Sequence, residues 1–244
     1  MKPQVLGIIP ARYASTRFPG KPLVDIAGKT MIQRTWEQVK KCSDIDDVWI
    51  ATDDERIFAH CQEIGANCIM TDSVHINGTQ RIAEAAKRIN SSAKYIVNIQ
   101  GDEPFIQPQQ VSEIVQLIQT AEADIATLIY PVQNAEELNN PNVVKVVRSL
   151  SGRALYFSRC SIPYAQTGDT EIVYYKHLGI YAFTIETLQK IVALPVSALA
   201  LTESLEQLTW LENDFNIQTA ETKYVSKAID TPQDLVQIIE MFKL

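Results

Sequence analysis

Val5-Leu6-Gly7-Ile8-Ile9 runs directly into Pro10-Ala11-Arg12-Tyr13-Ala14-Ser15-Thr16-Arg17-Phe18-Pro19-Gly20-Lys21-Pro22. The first five residues read as a buried strand and the rest as a loop punctuated by Pro and Gly. Open α/β sheets bind their ligands at loops like this one, just past the carboxyl end of a parallel strand. Arg12, Arg17 and Lys21 can make charge-assisted hydrogen bonds to phosphate oxygens. The stretch therefore points to a polyphosphate grip, while a solvated basic turn accounts for the same residues taken alone. Gly28-Lys29-Thr30 is not the end of a P-loop, because Leu23 stands where that motif needs glycine. The first turn also lacks the GxGxxG dinucleotide fingerprint.

Downstream, strand and helix alternate. Ile32, Trp36 and Val39 recur at helical spacing within 30–42, Val48 to Thr52 is a short strand, and Asp53-Asp54 opens a helix that Gly65 ends. Asn67 to Met70 and Tyr95 to Ile99 are strands, separated by a helix with Ile82, Ala85, Ala86 and Ile89 on one face. Val111, Ile114, Val115 and Ile118 mark a further helix. From Asp124 the pattern changes to strands at 125–132, 143–148, 154–158 and 178–183, with Ser151-Gly152 as a hairpin turn. Leu201, Leu205, Leu208 and Leu211 predict one helix with a leucine seam, from which Glu206 and Gln207 project away. In the last helix Pro232 takes the first position, so Thr231 is the N-cap and Asp234 completes a variant capping box. Asp230 is then free of capping. The order predicts one α/β domain over 1–244, a doubly wound, mostly parallel Rossmann-like sheet with an antiparallel insertion at about 150–185.

The formal charge of −7 makes the basic loop a local feature of an acidic protein, which argues against nucleic acid or an anionic membrane as partner. No stretch has the roughly 20 apolar residues of a membrane span, and no secretory leader opens the chain, so a soluble, cytoplasmic protein is expected. Cys42, Cys61, Cys68 and Cys160 match no zinc or redox spacing and read as buried reduced thiols.

Asp102, just past a buried strand, is a metal candidate, because Mg²⁺ takes one or two carboxylates together with phosphate oxygens. Asp230 is the natural second carboxylate. A turn-forming aspartate and an alternative N-cap are the competing accounts of the two. His177, Gly179 and Tyr181 share one face of a strand, where imidazole and phenol line a pocket wall or pack across strands. His60, His75 and His177 lack metal-ligand spacing, and no nucleophile elbow supports a covalent hydrolase.

These residues belong to longer motifs. Pro10 to Leu23, Asn98-Ile99-Gln100-Gly101-Asp102-Glu103-Pro104, Ala154-Leu155-Tyr156-Phe157-Ser158-Arg159, His177-Leu178-Gly179-Ile180-Tyr181, Leu205-Glu206-Gln207-Leu208 and Asp230-Thr231-Pro232 occur in one order along nearly the whole chain. Together they closely resemble the family of 3-deoxy-manno-octulosonate (Kdo) cytidylyltransferases, the CMP-Kdo synthetases. The resemblance implies a nucleotidyltransferase fold, a homodimer, and Mg²⁺-dependent transfer of CMP from CTP to the anomeric hydroxyl of Kdo, releasing pyrophosphate, for lipopolysaccharide biosynthesis. It implies that Arg12, Ser15, Arg17 and Lys21 hold the triphosphate, and that Thr71, Gly78, Thr79 and Arg81 lie at the cytosine. Asp102 and Asp230 match the metal carboxylates, with Arg12 and Lys21 beside them in catalysis. Gln100, Arg159, His177, Tyr181, Glu206 and Gln207 match the sugar-acid pocket, and the insertion would serve that pocket and the dimer. Asn77, Gln80 and Thr209 depart from the more usual Ser, Glu and Arg. A cytidylyltransferase for amino-substituted Kdo or sialic acid, or a non-catalytic nucleotide-binding protein, is the alternative.

Overall fold

The computed structural model describes residues 4–14, 18–89, 92–121, 123–166, 172–225 and 227–242. The first half alternates as expected: β1 (Val5–Ala11), the short pair β2 (Asp25–Ile26) and β3 (Lys29–Thr30), α1 (Met31–Val39), β4 (Asp47–Thr52), α2 (Glu55–Glu63), β5 (Asn67–Met70), α3 (Gly78–Ile89), β6 (Tyr95–Asn98) and α4 (Pro108–Thr120). The second half comprises β7 (Ile125–Pro131), α5 (Ala135–Asn139), β8 (Lys145–Arg148), β9 (Ala154–Ser158), β10 (Tyr175–Thr184), α6 (Ile185–Ile191), α7 (Ala198–Glu203), α8 (Gln207–Glu212), β11 (Ile217–Glu221) and α9 (Pro232–Phe242).

The main sheet has the order β11-β7-β10-β6-β1-β4-β5. β1 pairs parallel with β4 and β6, β4 with β5, and β7 with β11. β10 runs antiparallel to both β6 and β7, between the two parallel blocks. The antiparallel strands therefore do not form a separate outgrowth: β10 belongs to the central sheet, and β8 and β9 extend from it. The structure is a mixed α/β sheet, mostly parallel.

Alternation along each strand divides the core. One face buries Ile9 with Ile32, Trp36, Val111 and Ile114; the other buries Ile8 with Ile82, Phe157, Phe183, Leu208 and Trp210. A third, smaller cluster of Ile26, Met31, Ile229 and Ile238 seats α9 against the start of α1. This last contact matters for the site, because it brings the end of the chain back to the loop after β1.

Candidate active site

β1 ends where the basic loop begins. Gly20 closes that loop in a left-handed conformation (φ 72°), and its N–H donates to the Tyr13 carbonyl at 2.9 Å. The one-turn 3₁₀ segment Lys21–Leu23 then turns the Lys21 ammonium inward. Its Nζ donates to Asp102 Oδ2 at 2.7 Å and to Asp230 Oδ1 at 3.2 Å. Both aspartates are held by their neighbours. Gly101 lets the loop after β6 cross β1 closely, since a Cβ there would lie 2.8 Å from the Pro10 carbonyl oxygen. The Ile229 N–H donates to the Asp102 carbonyl at 2.9 Å, which places Asp230 beside Asp102. The reciprocal cap forms as expected: Asp234 N–H donates to Thr231 Oγ1, and Asp234 Oδ2 accepts from the Thr231 N–H at 2.8 Å.

These groups line a cleft of about 390 Å³, together with Arg12, Gly78, Arg81 and Gln100. Arg12 donates to the Ile76 carbonyl at 3.4 Å and so reaches across to the segment before α3. Ser15 and Arg17 lie outside the described residues. With one ammonium between two carboxylates, the cluster keeps a net negative charge. No group of three or more His, Cys, Asp or Glu side chains suited to a metal occurs among the described residues. Two carboxylates in an open cleft suit a hard dication whose remaining ligands come from water and substrate phosphate.

The N-terminus of α3 forms the next wall. Asn77 Oδ1 accepts from the Gln80 N–H at 2.9 Å, and Gln80 Oε1 accepts from the Ile76 N–H at 3.1 Å. Two of the three residues noted as departures, Asn77 and Gln80, thus act together as an uncharged cap. Gly78 packs on Pro10. Arg81 is fully buried and faces inward: Nη2 donates to Asp53 Oδ2 at 2.9 Å and Nη1 to Thr71 Oγ1 at 2.6 Å, while Nε has no partner among the described residues. Thr71 is accordingly engaged by Arg81 rather than set in the cleft wall. Asp53, read from sequence only as part of a helix start, is the carboxylate that neutralises Arg81. Its neighbour Asp54 supplies the N-cap of α2 instead.

The residues expected to form a sugar pocket are divided by the structure. Gln100 lines the cleft and its Nε2 donates to the Gly179 carbonyl at 3.0 Å. That carbonyl is freed by a bulge, since the pairing of β10 with β7 shifts register between Leu178 and Tyr181. Thr127 serves the bulge, its hydroxyl donating to the Ile180 carbonyl at 2.8 Å and meeting His177 Nε2 at 3.0 Å. The His177 and Tyr181 rings lie 5.0 Å apart, so these two do share a face. Loss of water around the imidazole lowers its pKa to about 3, which keeps it neutral. Burial, then the charge of Glu206, pushes the Tyr181 phenol well up, and its hydroxyl has no hydrogen-bond partner among the described residues. Asn98, the register partner of Tyr181, is fully buried, and neither side-chain amide atom has a hydrogen-bond partner among the described residues.

Glu206 and Gln207 correct the leucine-seam reading. Ser204 takes a left-handed conformation (φ 51°) that breaks the predicted helix into α7 and α8, and Leu201 is exposed. The break rotates α8, so Gln207 is buried and Glu206 turns inward to accept from Thr79 Oγ1 at 2.8 Å. Desolvation raises the Glu206 pKa, and the Thr79 bond partly opposes it. Thr79, Glu206, Gln80 and Thr209 line a second cavity of about 420 Å³ on the far side of Gly78. Thr209 Oγ1 accepts from the Ser197 N–H at 3.2 Å, a local tie between the α7 cap and α8. Arg159 lines neither cavity. Its guanidinium donates to the carbonyls of Glu203 (2.7 Å), Pro141 (2.9 Å) and Ser204 (3.3 Å), bracing the α7–α8 break. None of the four cysteines forms a disulfide among the described residues, and Cys160 is exposed, contrary to the expectation of burial.

Comparison with known proteins agrees with this architecture. The cytidylyltransferase family model matches residues 6–221. The chain is 45% identical to the 3-deoxy-manno-octulosonate cytidylyltransferase of Cytophaga hutchinsonii over 240 residues, 96% of each chain. It is 48% identical to that of Bacteroides thetaiotaomicron over 246 residues, 98% of each. The solved structure of a CMP:2-keto-3-deoxy-manno-octonic acid synthetase complexed with CTP superposes with a TM-score of 0.93 at 38% identity, over 98% of both chains. The 4-diphosphocytidyl-2C-methyl-D-erythritol synthase of Anaerococcus prevotii, with a TM-score of 0.66 at 14% identity, shares the fold. Near-full-length identity on a shared fold means that the chain belongs to the family of 3-deoxy-manno-octulosonate cytidylyltransferases.

Proposed function

We propose that this protein transfers CMP from CTP to the anomeric hydroxyl of Kdo and releases pyrophosphate, supplying an activated sugar for lipopolysaccharide. The observation that carries the reading is the joining of Lys21, Asp102 and Asp230 in one cleft beside Arg12. Attack of a hydroxyl on the α-phosphorus needs in-line positioning and charge neutralisation more than covalent help. Arg12 and Lys21 bind the triphosphate and stabilise the charge of the leaving pyrophosphate, with Ser15 and Arg17 as further contacts. Asp102 and Asp230 would hold Mg²⁺, which when bound acidifies a coordinated hydroxyl and offsets phosphate charge.

Gly78, Thr79, Thr71 and Arg81 form or support the side of the cleft where the cytosine is placed. Gln100, His177, Tyr181, Glu206 and Gln207 address the sugar. Neutral His177 and Tyr181 recognise it by hydrogen bonding rather than by charge. Arg159, committed to three carbonyls, supports the α8 end of that pocket. We place the reaction in the cytoplasm, where CTP is available. Exposed Leu155, Tyr164 and Val173 on or beside the antiparallel strands support a homodimer through that face.

Pyrophosphate release measured with CTP against a panel of keto-acid sugars tests this reading. Turnover is expected only with CTP, Kdo and Mg²⁺ together, and Asp102→Asn should lower it about 10²-fold or more while leaving the circular dichroism spectrum unchanged. Efficient turnover of sialic acid with none of Kdo would overturn the substrate assignment.

A further inference from the structure

We infer that Arg56, on α2 and outside the cleft, is a positioning residue that clamps the triphosphate loop through Tyr13. The inference rests on the reading of the cleft as a CTP site. The Arg56 guanidinium carbon lies 3.2 Å from the centre of the Tyr13 ring, so the planar group stacks on the phenol. Arg56 cannot choose that pose freely. Its Nε and Nη2 donate to the two carboxylate oxygens of Asp54 at 2.9 and 2.7 Å, and its backbone N–H donates to Asp54 Oδ1 at 3.0 Å. Asp54 is itself fixed, because its N–H donates to Thr52 Oγ1 at 3.2 Å and its side chain caps α2. The end of β4 thus carries a rigid fork whose flat face meets Tyr13.

Tyr13 in turn sets the mouth of the loop. Its carbonyl accepts the Gly20 N–H at 2.9 Å, and its phenol end lies so near Gly20 that a Cβ there would be 3.1 Å from the ring and from the hydroxyl. Arg12 immediately precedes Tyr13, and Lys21 immediately follows Gly20. The stack therefore holds the two phosphate cations of the loop's ends at a fixed separation before any nucleotide arrives. Arg56 is largely exposed and belongs to no core cluster, so its task is not general packing. Its charge is already matched by Asp54, whose ion pair raises the guanidinium pKa and lowers that of the carboxyl. What Arg56 adds is preorganisation, which acts on substrate affinity rather than on the bond-breaking step.

A double-mutant cycle with full steady-state kinetics tests the clamp. Arg56→Ala and Tyr13→Leu should each raise KM for CTP about fivefold, the size of an exposed cation–π contact, with kcat within about twofold. The double variant should be no worse than either single one, because both changes remove the same contact. Arg56→Lys, which keeps charge but loses the plane, should behave like Arg56→Ala, whereas Tyr13→Phe should behave like wild type. Calorimetric titration of CTP without sugar provides a second readout in which dissociation constants follow the KM values. Additive effects in the cycle, or full rescue by Arg56→Lys, would overturn the clamp. Failure of the wild type to bind CTP at all would instead defeat the nucleotide reading of the cleft.

Discussion

Lys21 shows how much one ammonium does in this cleft: without it, Asp102 and Asp230 would face each other unshielded. At the same scale, His177 links the pocket to pH. In the unfolded chain an imidazole takes its proton near pH 6.5, but in the fold it resists until about 3. Between those values the unfolded chain binds the extra proton. The stability from this site is complete above 6.5 and declines as pH falls toward 3. Glu206 works in the opposite sense, since its raised pKa makes the folded chain the better proton acceptor and its contribution is lost as pH rises. We expect His177→Gln to flatten the acid limb. Urea unfolding at pH 6.5 and 5.0 should show about 1 kcal/mol less acid destabilisation in the variant, after allowing for the ring's partial exposure. An unchanged pH dependence would mean that the ring is protonated in the fold. Which side chains would reach the cleft was readable for Arg12, Lys21, Asp102 and Asp230, because each stands next to a strand end or a cap with its own local signature. The inward turn of Arg81 was not readable, since its partner Asp53 lies 28 residues away with no pattern tying the two.

The elements follow the sequence where periodicity is strong. The α4 stripe of Val111, Ile114, Val115 and Ile118 is buried as predicted, and the capping box of α9 forms from the residues that encode it. Where the leucine repeat runs from Leu201 to Leu211, pattern and structure part company. A left-handed residue at Ser204 redirects the chain, and Arg159 from β9 braces the break by hydrogen-bonding the Glu203 and Ser204 carbonyls. Nothing local at Ser204 signals this, as serine has no preference for that conformation; the tertiary contacts impose it. A left-handed L-residue costs about 1–2 kcal/mol, part of which glycine would recover after its larger entropy loss. Ser204→Gly should therefore raise stability by about 0.5 kcal/mol and the melting temperature by about 1–2 °C, measured by calorimetry. A loss of stability would show that the serine side chain is needed at the break.

At the level of the whole molecule, β10 decides the shape of the site. Running against its neighbours, it joins the β6-β1-β4-β5 block to the β7-β11 block and carries His177 and Tyr181 between them. The apolar side chains left exposed nearby set the expected assembly: Leu155→Lys should shift the protein from dimer to monomer in sedimentation velocity, with the far-ultraviolet spectrum unchanged. A monomeric wild type would remove that face from the assembly. By itself the sequence determined the alternating α/β order, the placing of Arg12, Lys21 and the two carboxylates at one cleft, and the family, because strand and helix periods, caps and ordered motifs are written in neighbouring residues. Only the tertiary structure decided that Lys21 bridges Asp102 and Asp230, that Arg81 pairs with Asp53, that Glu206 turns inward and that Arg159 turns away. Those outcomes depend on which distant segments the core brings within hydrogen-bond reach, and burial then leaves each charged group no alternative to the partner it finds.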